Sequence, residues 1–180
     1  AQEYQRLKEM AVTDGLTGIY NYKGFRDFTI MEFQRAKRYS KPLSLIMIDV
    51  DNFKAINDSL GHQAGDYVLR ELAGCLKNSV RNTDIVARYG GDEFVILLPE
   101  TAMAESEVLV KRMLHTIKDH AFQWRSERIK FEISCGISTT GELEEGDGEE
   151  EFIHMADSRL LTAKQSPNLL HSVSKTTNDS

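Results

Sequence analysis

The chain has 180 residues with a formal net charge of −6, and it is 41% hydrophobic and 28% charged, which is the composition of an ordinary globular domain. Seven acids fall between residues 142 and 151, so the rest of the chain is close to neutral and is not basic enough to indicate a nucleic-acid groove. No apolar run is long enough for a membrane helix, no signal peptide is recognisable, and the isolated Cys75 and Cys135 indicate reduced thiols.

The first half of the chain contains one strongly apolar segment between amphipathic helices. Leu43 to Val50 is almost continuously apolar, which predicts a central strand buried on both faces. Asn21 precedes a segment with helical spacing of apolar residues and predicts a helix cap. The helices predicted in this half cover residues 1–12, 22–39, 52–60 and 66–80, with a loop over 61–66.

The second half begins with two apolar runs joined by a glycine turn, Ile85 to Leu98, which predicts a β-hairpin. Residues 142–151 predict a solvated acidic loop, because they contain no base. This order of elements predicts an α/β layered domain with one hairpin in a mixed sheet. The other elements predicted here are a helix over 102–119, a strand over 129–139, a last helix over 152–164, and a fraying tail or short edge strand over 166–180.

Two acids, Asp49 and Asp51, stand at the end of the predicted central strand. Residues two apart on a strand point to the same side, and a carboxylate at the end of a buried strand is costly unless it is paired or binds a cation. Mg²⁺ suits such a position, because it needs few protein oxygens and completes its shell with phosphates and water. Asp51 can instead cap the following helix, and we adopt that interpretation, which leaves Asp49 as the ligand.

The hairpin turn contains a second pair of acids, Asp92 and Glu93, after Gly90 and Gly91. A solvated hairpin tip is a sufficient explanation of this turn taken alone. If the turn and Asp49 meet at neighbouring strand ends, however, their carboxylates surround one cation, as in phosphoryl and nucleotidyl transfer. The residues by themselves therefore predict a magnesium-dependent nucleotide site.

The short helix after the central strand offers groups for a nucleobase. We expect Phe53 and Ile56 to face the core, with Lys54 and Asn57 together on the other side. Asn57 supplies an amide and Asp66 a carboxylate, which accepts well from the N1 and N2 donors of guanine. The alternative role for Asp66 is that of a helix cap.

Several segments together resemble the GGDEF family, the diguanylate cyclases, and they lie in the family's order over roughly residues 10–168. The matching segments are Asp14-Gly15-Leu16-Thr17-Gly18, residues 49–58, Gly61-His62 with Gly65-Asp66, the signature Gly90-Gly91-Asp92-Glu93-Phe94, and Ser134-Cys135-Gly136-Ile137. The resemblance implies a fold like that of nucleotidyl cyclases and polymerase palms: a central mixed, largely antiparallel five-stranded sheet flanked by helices, with the signature on a β-hairpin. It also implies a linker helix from an upstream module at residues 1–12, a catalytic domain at 13–168 and a tail at 169–180.

The resemblance further implies an activity. Two GTP molecules would be condensed into cyclic di-GMP with release of two pyrophosphates, between two copies of the domain related by a two-fold axis. Asp49, the backbone oxygen of Val50 and Asp92 would hold Mg²⁺, with Mn²⁺ as the alternative. Asp92 or Glu93 would help to deprotonate the attacking 3′-hydroxyl. The residues implied to contact substrate are Phe53, Lys54, Asn57, His62, Asp66, Gly90, Gly91 and Lys164.

A second site is implied by Arg81 and Asp84, five residues before the glycines of the signature. In the family this spacing marks a site where the product binds and inhibits, and Arg112 matches a further position of that site. Arg81 can fork onto a phosphate or a guanine, and Asp84 can accept from guanine. The alternative is a surface ion pair, which contributes little to stability.

The chain departs from the family pattern near its end. The family's Gly-Arg-Asn is here Pro167-Asn168-Leu169, and Leu161 replaces a usual tyrosine. The family's first motif also usually continues Asn-Arg-Arg, where this chain has Asn-Tyr-Lys from Asn21. Loss of the arginine removes a charge-assisted contact to the triphosphate, so we expect weaker binding of GTP.

The alternative interpretation is a degenerate domain which binds GTP or cyclic di-GMP as a sensor or dimerisation module, and the intact signature and Asp49 are the features that discriminate against it. The expected partners are GTP, cyclic di-GMP, a second copy of the chain and an upstream sensory domain, without nucleic acid. The expected location is the cytoplasm, with the cytoplasmic part of a longer membrane-anchored protein as the alternative.

Overall fold

The computed structural model describes residues 11–165 as helices packed on both faces of one antiparallel sheet, with a small separate ribbon. The helices are α1 (Tyr22–Tyr39), α2 (Phe53–Leu60), α3 (His62–Ser79), α4 (Met103–Asp119) and α5 (Glu149–Gln165), with a 3₁₀ turn at Thr140–Glu142. The strands are β1 (Leu43–Val50), β2 (Ile85–Arg88), β3 (Glu93–Pro99), β4 (Gln123–Trp124), β5 (Glu127–Arg128) and β6 (Ile133–Thr139).

Strand β1 is the centre of the sheet, whose order is β2-β3-β1-β6 with every neighbouring pair antiparallel. All eight residues of β1 are buried, as the apolar run predicted. Ile46 and Ile48 belong to the core cluster that includes residues of α3 and α4, whereas Leu45 and Met47 belong to the cluster that includes residues of α1 and α5. The strand is therefore apolar throughout because each of its two faces is covered by a helical layer.

The predicted fold class is correct, but the predicted strand count is not. Within residues 11–165 the sheet has four strands, and a parallel pairing occurs there only as the single bridge between Tyr20 and Ala87. The predicted strand over 129–139 is shorter, because Ile129 donates its N–H to Phe122 O (2.8 Å) beside the β4–β5 ribbon. The chain joins β1 only from Ile133 onward.

The predicted loop between α2 and α3 is also wrong. Helix α2 ends at Leu60, and α3 already begins at His62. Gly61 makes the joint with φ +88° and donates its N–H to Asn57 O at 2.9 Å. Because glycine tolerates this backbone angle, one residue suffices to turn the chain, and residues 62–66 form the first turns of the helix.

The acidic segment over 142–151 is only partly the solvated loop that its composition predicted. Glu142 forms a bidentate pair with Arg159 (2.8 and 2.9 Å), and both side chains are largely buried. Helix α5 starts at Glu149, three residues earlier than predicted, with acids at its first three positions. Negative charge at a helix N-terminus is favourable, which explains the early start.

Gly136 brings α5 unusually close to the sheet. A Cβ at this position of β6 would lie 2.2 Å from the carbonyl oxygen of Ala156 and 2.4 Å from the backbone nitrogen of Leu160. Both atoms belong to the α5 backbone, so they cannot move aside cheaply. The close packing of α5 on β6 carries the end of the helix over the ends of the central strands.

Both cysteines are free and buried, and burial raises the pKa of the Cys135 thiol to about 12, which makes it unreactive. Only Ala11 and Val12 of the predicted linker helix are described, and both are helical. The rest of that helix, the departures at 167–169 and the tail at 169–180 lie outside the described residues. No helix within residues 11–165 is long and apolar enough to cross a membrane.

Candidate active site

An acidic cluster lies where β1 and β3 meet at one end of the sheet. Asp49 is 4% exposed and faces Glu93 directly across the β1–β3 pairing. The backbone N–H of Val50 donates to Asp92 O at 3.3 Å, which fixes the hairpin turn against the end of β1. The structure thus brings the predicted metal ligand Asp49 close to the predicted acids Asp92 and Glu93, which are more than forty residues further along the chain.

Lys164, from the last turn of α5, completes this cluster. Its Nζ donates to Asp49 Oδ2 at 2.6 Å, and its side chain keeps 39% exposure. Burial alone would lower the pKa of Lys164, but the hydrogen bond to Asp49 and the charges of Asp49, Asp92 and Glu93 outweigh burial and raise the pKa. The ammonium therefore stays charged and compensates part of the negative charge.

The carboxylates of the cluster disfavour one another's ionisation. Burial raises the pKa of Asp49 above its ordinary value, the Lys164 hydrogen bond opposes this, and the charge of Asp92 adds to it. Burial also raises the pKa of Glu93, with further increases from the charges of Asp49 and Asp92. Where these carboxylates are ionised, the charge of Lys164 balances one of them, and a bound cation would neutralise the remainder.

The fit of a divalent ion to this cluster depends on how many protein oxygens the ion requires. Within residues 11–165, no three His, Cys, Asp or Glu side chains are grouped closely enough to hold a metal by themselves. Mg²⁺ does not require such a group, because it binds through one or two carboxylates together with substrate phosphates. Asp49 and Asp92, with a backbone oxygen beside them, are the hard oxygen donors that this ion prefers, so the donor set fits Mg²⁺ bound jointly with a nucleotide.

Arg88, which the sequence analysis did not single out, holds the signature turn in place. Its guanidinium donates to the carbonyl oxygens of Gly90 (3.1 Å) and Gly91 (2.7 and 3.0 Å), and its Nη1 contacts Asp14 Oδ1 at 3.3 Å. Asp14 in turn accepts from the N–H (2.9 Å) and hydroxyl (2.6 Å) of Thr17. The motif around Asp14 therefore orients Arg88. The position of Arg88, two residues before Gly90, was the signal available in the sequence.

The two signature glycines have different surroundings. A Cβ on Gly90 would lie 2.6 Å from Glu93 Oε2, so Gly90 leaves the space in which the Glu93 carboxylate sits. A Cβ on Gly91 would meet no atom of residues 11–165 within 4 Å. Clearance for a nucleotide therefore remains a prediction for both positions, and at Gly90 the structure shows a further reason for glycine.

Five of the residues predicted to contact substrate lie along the α2–α3 hairpin: Phe53, Lys54, Asn57, His62 and Asp66. Lys54, His62 and Asp66 are exposed, and His62 is the first residue of α3. Asp66 lies inside α3, so it is not the helix cap that was its alternative interpretation. Asn57 is not on the same open side as Lys54, because its Oδ1 is buried and packs towards α3.

The buried Oδ1 of Asn57 has no hydrogen-bond partner among the described residues.

The prediction that Asp51 caps α2 is wrong. The N-cap is Asn52, in a left-handed conformation and without a side-chain cap bond, whereas Asp51 accepts from the Ser134 hydroxyl at 2.7 Å. The Asp51 carboxylate is hydrogen-bonded to the Ser134 hydroxyl on β6 and does not cap the N-terminus of α2.

A separate surface cavity of ≈ 390 Å³ is lined by all three residues predicted for the product site, Arg81, Asp84 and Arg112. Asp84 is 5% exposed and accepts from the backbone N–H of Arg81 at 2.8 Å. Arg112, on α4, donates to the carbonyl of Ser79 at 2.9 Å. The cavity therefore presents two arginines beside a buried carboxylate, which is not the simple Arg–Asp surface ion pair that was the alternative.

The family model described as diguanylate cyclase, GGDEF domain, matches residues 11–168. The response regulator PleD of Caulobacter vibrioides is 37% identical over 158 residues, which are 88% of this chain and 35% of PleD. The chain thus spans about a third of the length of that relative.

Two solved structures are similar over most of the chain. Diguanylate cyclase SiaD from Pseudomonas aeruginosa, in complex with its activator SiaC, gives a TM-score of 0.83 at 32% identity, covering 92% of this chain and 62% of SiaD. The coiled coil and GGDEF domain of DgcB from Caulobacter crescentus, in complex with c-di-GMP, gives a TM-score of 0.84 at 26% identity, covering 91% of this chain and 86% of that one. The predicted family resemblance is confirmed by these matches.

Proposed function

The chain belongs to the GGDEF family, and on that premise we propose that it is a diguanylate cyclase, which condenses two GTP into cyclic di-GMP and two pyrophosphates. The observation that carries the proposal is the acidic cluster: Asp49, Asp92 and Glu93 lie at one end of the sheet, and Lys164 contacts Asp49. A cluster of this charge is costly to fold, and a metal–nucleotide substrate would neutralise it.

We assign the binding of Mg²⁺, or of Mn²⁺ in its place, to Asp49, the backbone oxygen of Val50 and Asp92. The chemistry that such an ion would supply is neutralisation of phosphate charge. Lys164 supplies a permanent positive charge beside the same groups and is suited to hold triphosphate oxygens. Release of Asp49 from Lys164 would then accompany nucleotide binding.

We assign the removal of the 3′-hydroxyl proton to Glu93, with Asp92 beside it. Burial first, and then the neighbouring Asp49 charge, raises the pKa of Glu93. A carboxylate with a raised pKa is a better proton acceptor while it is still ionised near neutral pH. Gly90 leaves the space for this carboxylate, and Arg88 fixes the turn that bears it.

Guanine recognition is assigned to Asn57 and Asp66, with His62 at the ribose. The Oδ1 of Asn57, which is buried and has no partner among the described residues, would become available to the N1 and N2 donors of guanine when the base enters between α2 and α3. Phe53 would pack against the nucleotide and Lys54 would contact the phosphates. Gly90 and Gly91 would leave room for the substrate.

Condensing two GTP molecules requires two copies of this site. One copy brings the attacking 3′-hydroxyl and the other the α-phosphate, so we propose that catalysis occurs in a two-fold dimer of the domain. An upstream sensory domain would set how often two copies meet, by controlling their effective concentration. The domain would work in the cytoplasm, where GTP is present.

The cavity of Arg81, Asp84 and Arg112 is assigned to inhibition by the product. The arginines can pair with phosphates, and the buried carboxylate of Asp84 can accept from guanine. Binding of product at this cavity and catalysis at the acidic cluster would be reciprocally coupled.

The test is to incubate the chain with GTP and Mg²⁺ at concentrations where light scattering shows a dimer, and to separate the nucleotides by chromatography. Cyclic di-GMP should accumulate with wild type, and Asp92→Ala should form none. A dimer that binds GTP without forming cyclic di-GMP would replace the proposal by the second candidate, a nucleotide-binding sensor domain.

A further inference from the structure

Gly65 lies inside helix α3, where its backbone gives no reason for glycine. Its φ is not in the left-handed range, and its N–H donates to Gly61 O at 3.3 Å as expected within a helix. Glycine inside a helix is ordinarily unfavourable relative to alanine. The reason for glycine at this position must therefore come from what faces it.

The residues that face Gly65 belong to the proposed base site. A Cβ built on Gly65 would lie 2.0 Å from Asn57 Oδ1, and 3.0 Å from both Asn57 Cγ and Phe53 Cζ. Phe53 and Asn57 are four apart on α2 and so lie on the same side of that helix. The missing side chain of Gly65 is the space that the Asn57 carboxamide occupies.

That same carboxamide carries the unpaired acceptor. Asn57 Oδ1 is buried without a hydrogen-bond partner among the described residues, an arrangement that is costly until a donor arrives. A short amide side chain can be displaced without unfolding the helices, but its displacement changes where the acceptor points. Recognition of a base is therefore more sensitive to a Cβ at position 65 than the fold is.

We propose that Gly65 is a positioning residue for nucleobase recognition: its missing side chain seats the Asn57 carboxamide between α2 and α3, so that Oδ1 can accept from a guanine donor. This inference rests on the proposed function. It predicts that Gly65→Ala loses the preference for guanine nucleotides while the domain remains folded.

The matched control is Gly74, in the same helix and exposed, where a Cβ would meet no atom of the described part of the chain within 4 Å. Calorimetric titration with 3′-deoxy-GTP and 3′-deoxy-ATP, which lack the attacking hydroxyl, measures binding without turnover. Gly65→Ala should weaken 3′-deoxy-GTP about tenfold to a hundredfold, with little change for 3′-deoxy-ATP, because only the guanine hydrogen bond is lost. Gly74→Ala should bind both nucleotides as wild type does and raise Tm by about 2–4 °C.

A double-mutant cycle with Asn57→Ala separates positioning from a structural role. If Gly65 acts through Asn57, the double variant should bind 3′-deoxy-GTP no more weakly than Asn57→Ala alone. If Gly65→Ala lowers Tm too far for titration, Asn57→Ala should restore the fold by removing the obstructing amide. A double variant that stays unfolded, or losses in affinity that simply add, would overturn the inference.

The inference and the proposed function fail in different ways. Unchanged 3′-deoxy-GTP affinity in Gly65→Ala, with normal binding by wild type, would overturn the role of Gly65 and leave the cyclase assignment standing. Absence of binding by wild type and by Gly74→Ala would overturn the proposed function and, with it, the recognition role of Gly65.

Discussion

Two regions of this domain are built around a buried aspartate, and they differ in what surrounds it. Asp49 is 4% exposed and Asp84 is 5% exposed, and burial is the main cause of a raised pKa at both. Asp49 faces Glu93 across the sheet and pairs with Lys164 from the end of the last helix. Asp84 is held by a backbone N–H only three residues away, that of Arg81.

Burial and a raised pKa therefore do not by themselves distinguish a reaction centre from a binding site. Around Asp49, distant segments of the chain bring several charges together, which is suited to a charged substrate and its cation. Around Asp84, a local turn fixes one carboxylate at the edge of a surface cavity with two arginines, which is suited to binding. The same substitution should therefore have different consequences in the two regions.

The largest effect is expected when Asp49 is replaced by asparagine, and the same replacement at Asp84 provides the comparison. Asp49→Asn should lower the rate of cyclic di-GMP formation by at least about a hundredfold, because the carboxylate that we propose as a ligand of the cation is lost. Asp84→Asn should still form product, because asparagine can keep the hydrogen bond from Arg81, but inhibition by the product should weaken. Chromatographic rate measurements check both, with the exposed Asp27→Asn as control. Equal losses of rate in the two buried variants would contradict the distinction.

Arg81→Ala should raise the concentration of cyclic di-GMP needed for half-inhibition by about tenfold or more, since a charge-assisted contact is removed. Initial rates with added product measure this effect. Arg112→Ala should have a smaller effect, because Arg112 also serves the carbonyl of Ser79. Exposed Arg70→Ala, elsewhere on the surface, is the control. An unchanged inhibition curve for Arg81→Ala would remove this cavity from regulation.

Lys164→Gln should raise the KM for GTP by about tenfold, because a cation beside the acidic cluster and the triphosphate is lost. The effect is limited by the partial exposure of this side chain, which lets solvent screen its charge. Steady-state kinetics at saturating Mg²⁺ measure the change. A fall in kcat at constant KM would instead place Lys164 in the chemical step.

Asn168→Arg addresses a departure from the family that lies outside the described residues. Restoring a charge-assisted contact to the triphosphate should lower the KM for GTP by up to about tenfold. Asn168→Gln, which adds length without charge, is the control in the same assay. If both variants keep the KM of wild type, the absent arginine does not limit GTP affinity.

The smallest expected effect is on the pH dependence of stability. The pKa of Asp84 is raised above its ordinary value of 3.8, so the folded state binds its proton more tightly than the unfolded state does. The stabilisation from the protonated form is complete below the ordinary pKa and is lost as pH rises through the raised pKa. The Tm of Asp84→Asn minus that of wild type should therefore increase as pH rises through this window. Thermal unfolding checks this, and a constant or falling difference would contradict it.

Local patterns predicted much of the fold. The apolar run of β1, the hairpin and most helices follow from side-chain periodicity, which is read along a single segment. The errors lie where partners compete. Asp51 pairs with Ser134 instead of capping α2, and Glu142 pairs with Arg159 instead of remaining solvated. Each of these contacts depends on a partner from another element of the structure. The periodicity of a single segment carries no information about that partner.

The sequence alone determined the residue types of the site: acids at a buried strand end and in a glycine turn, and the motifs of one family around them. The contacts between these side chains follow only from the tertiary structure. It set Asp49 opposite Glu93, placed Lys164 on Asp49, and gave the Asn57 carboxamide the space left by Gly65. The physical reason is that residue type and spacing are local properties, whereas contact, burial and charge coupling arise only when strands and helices from distant segments pack together.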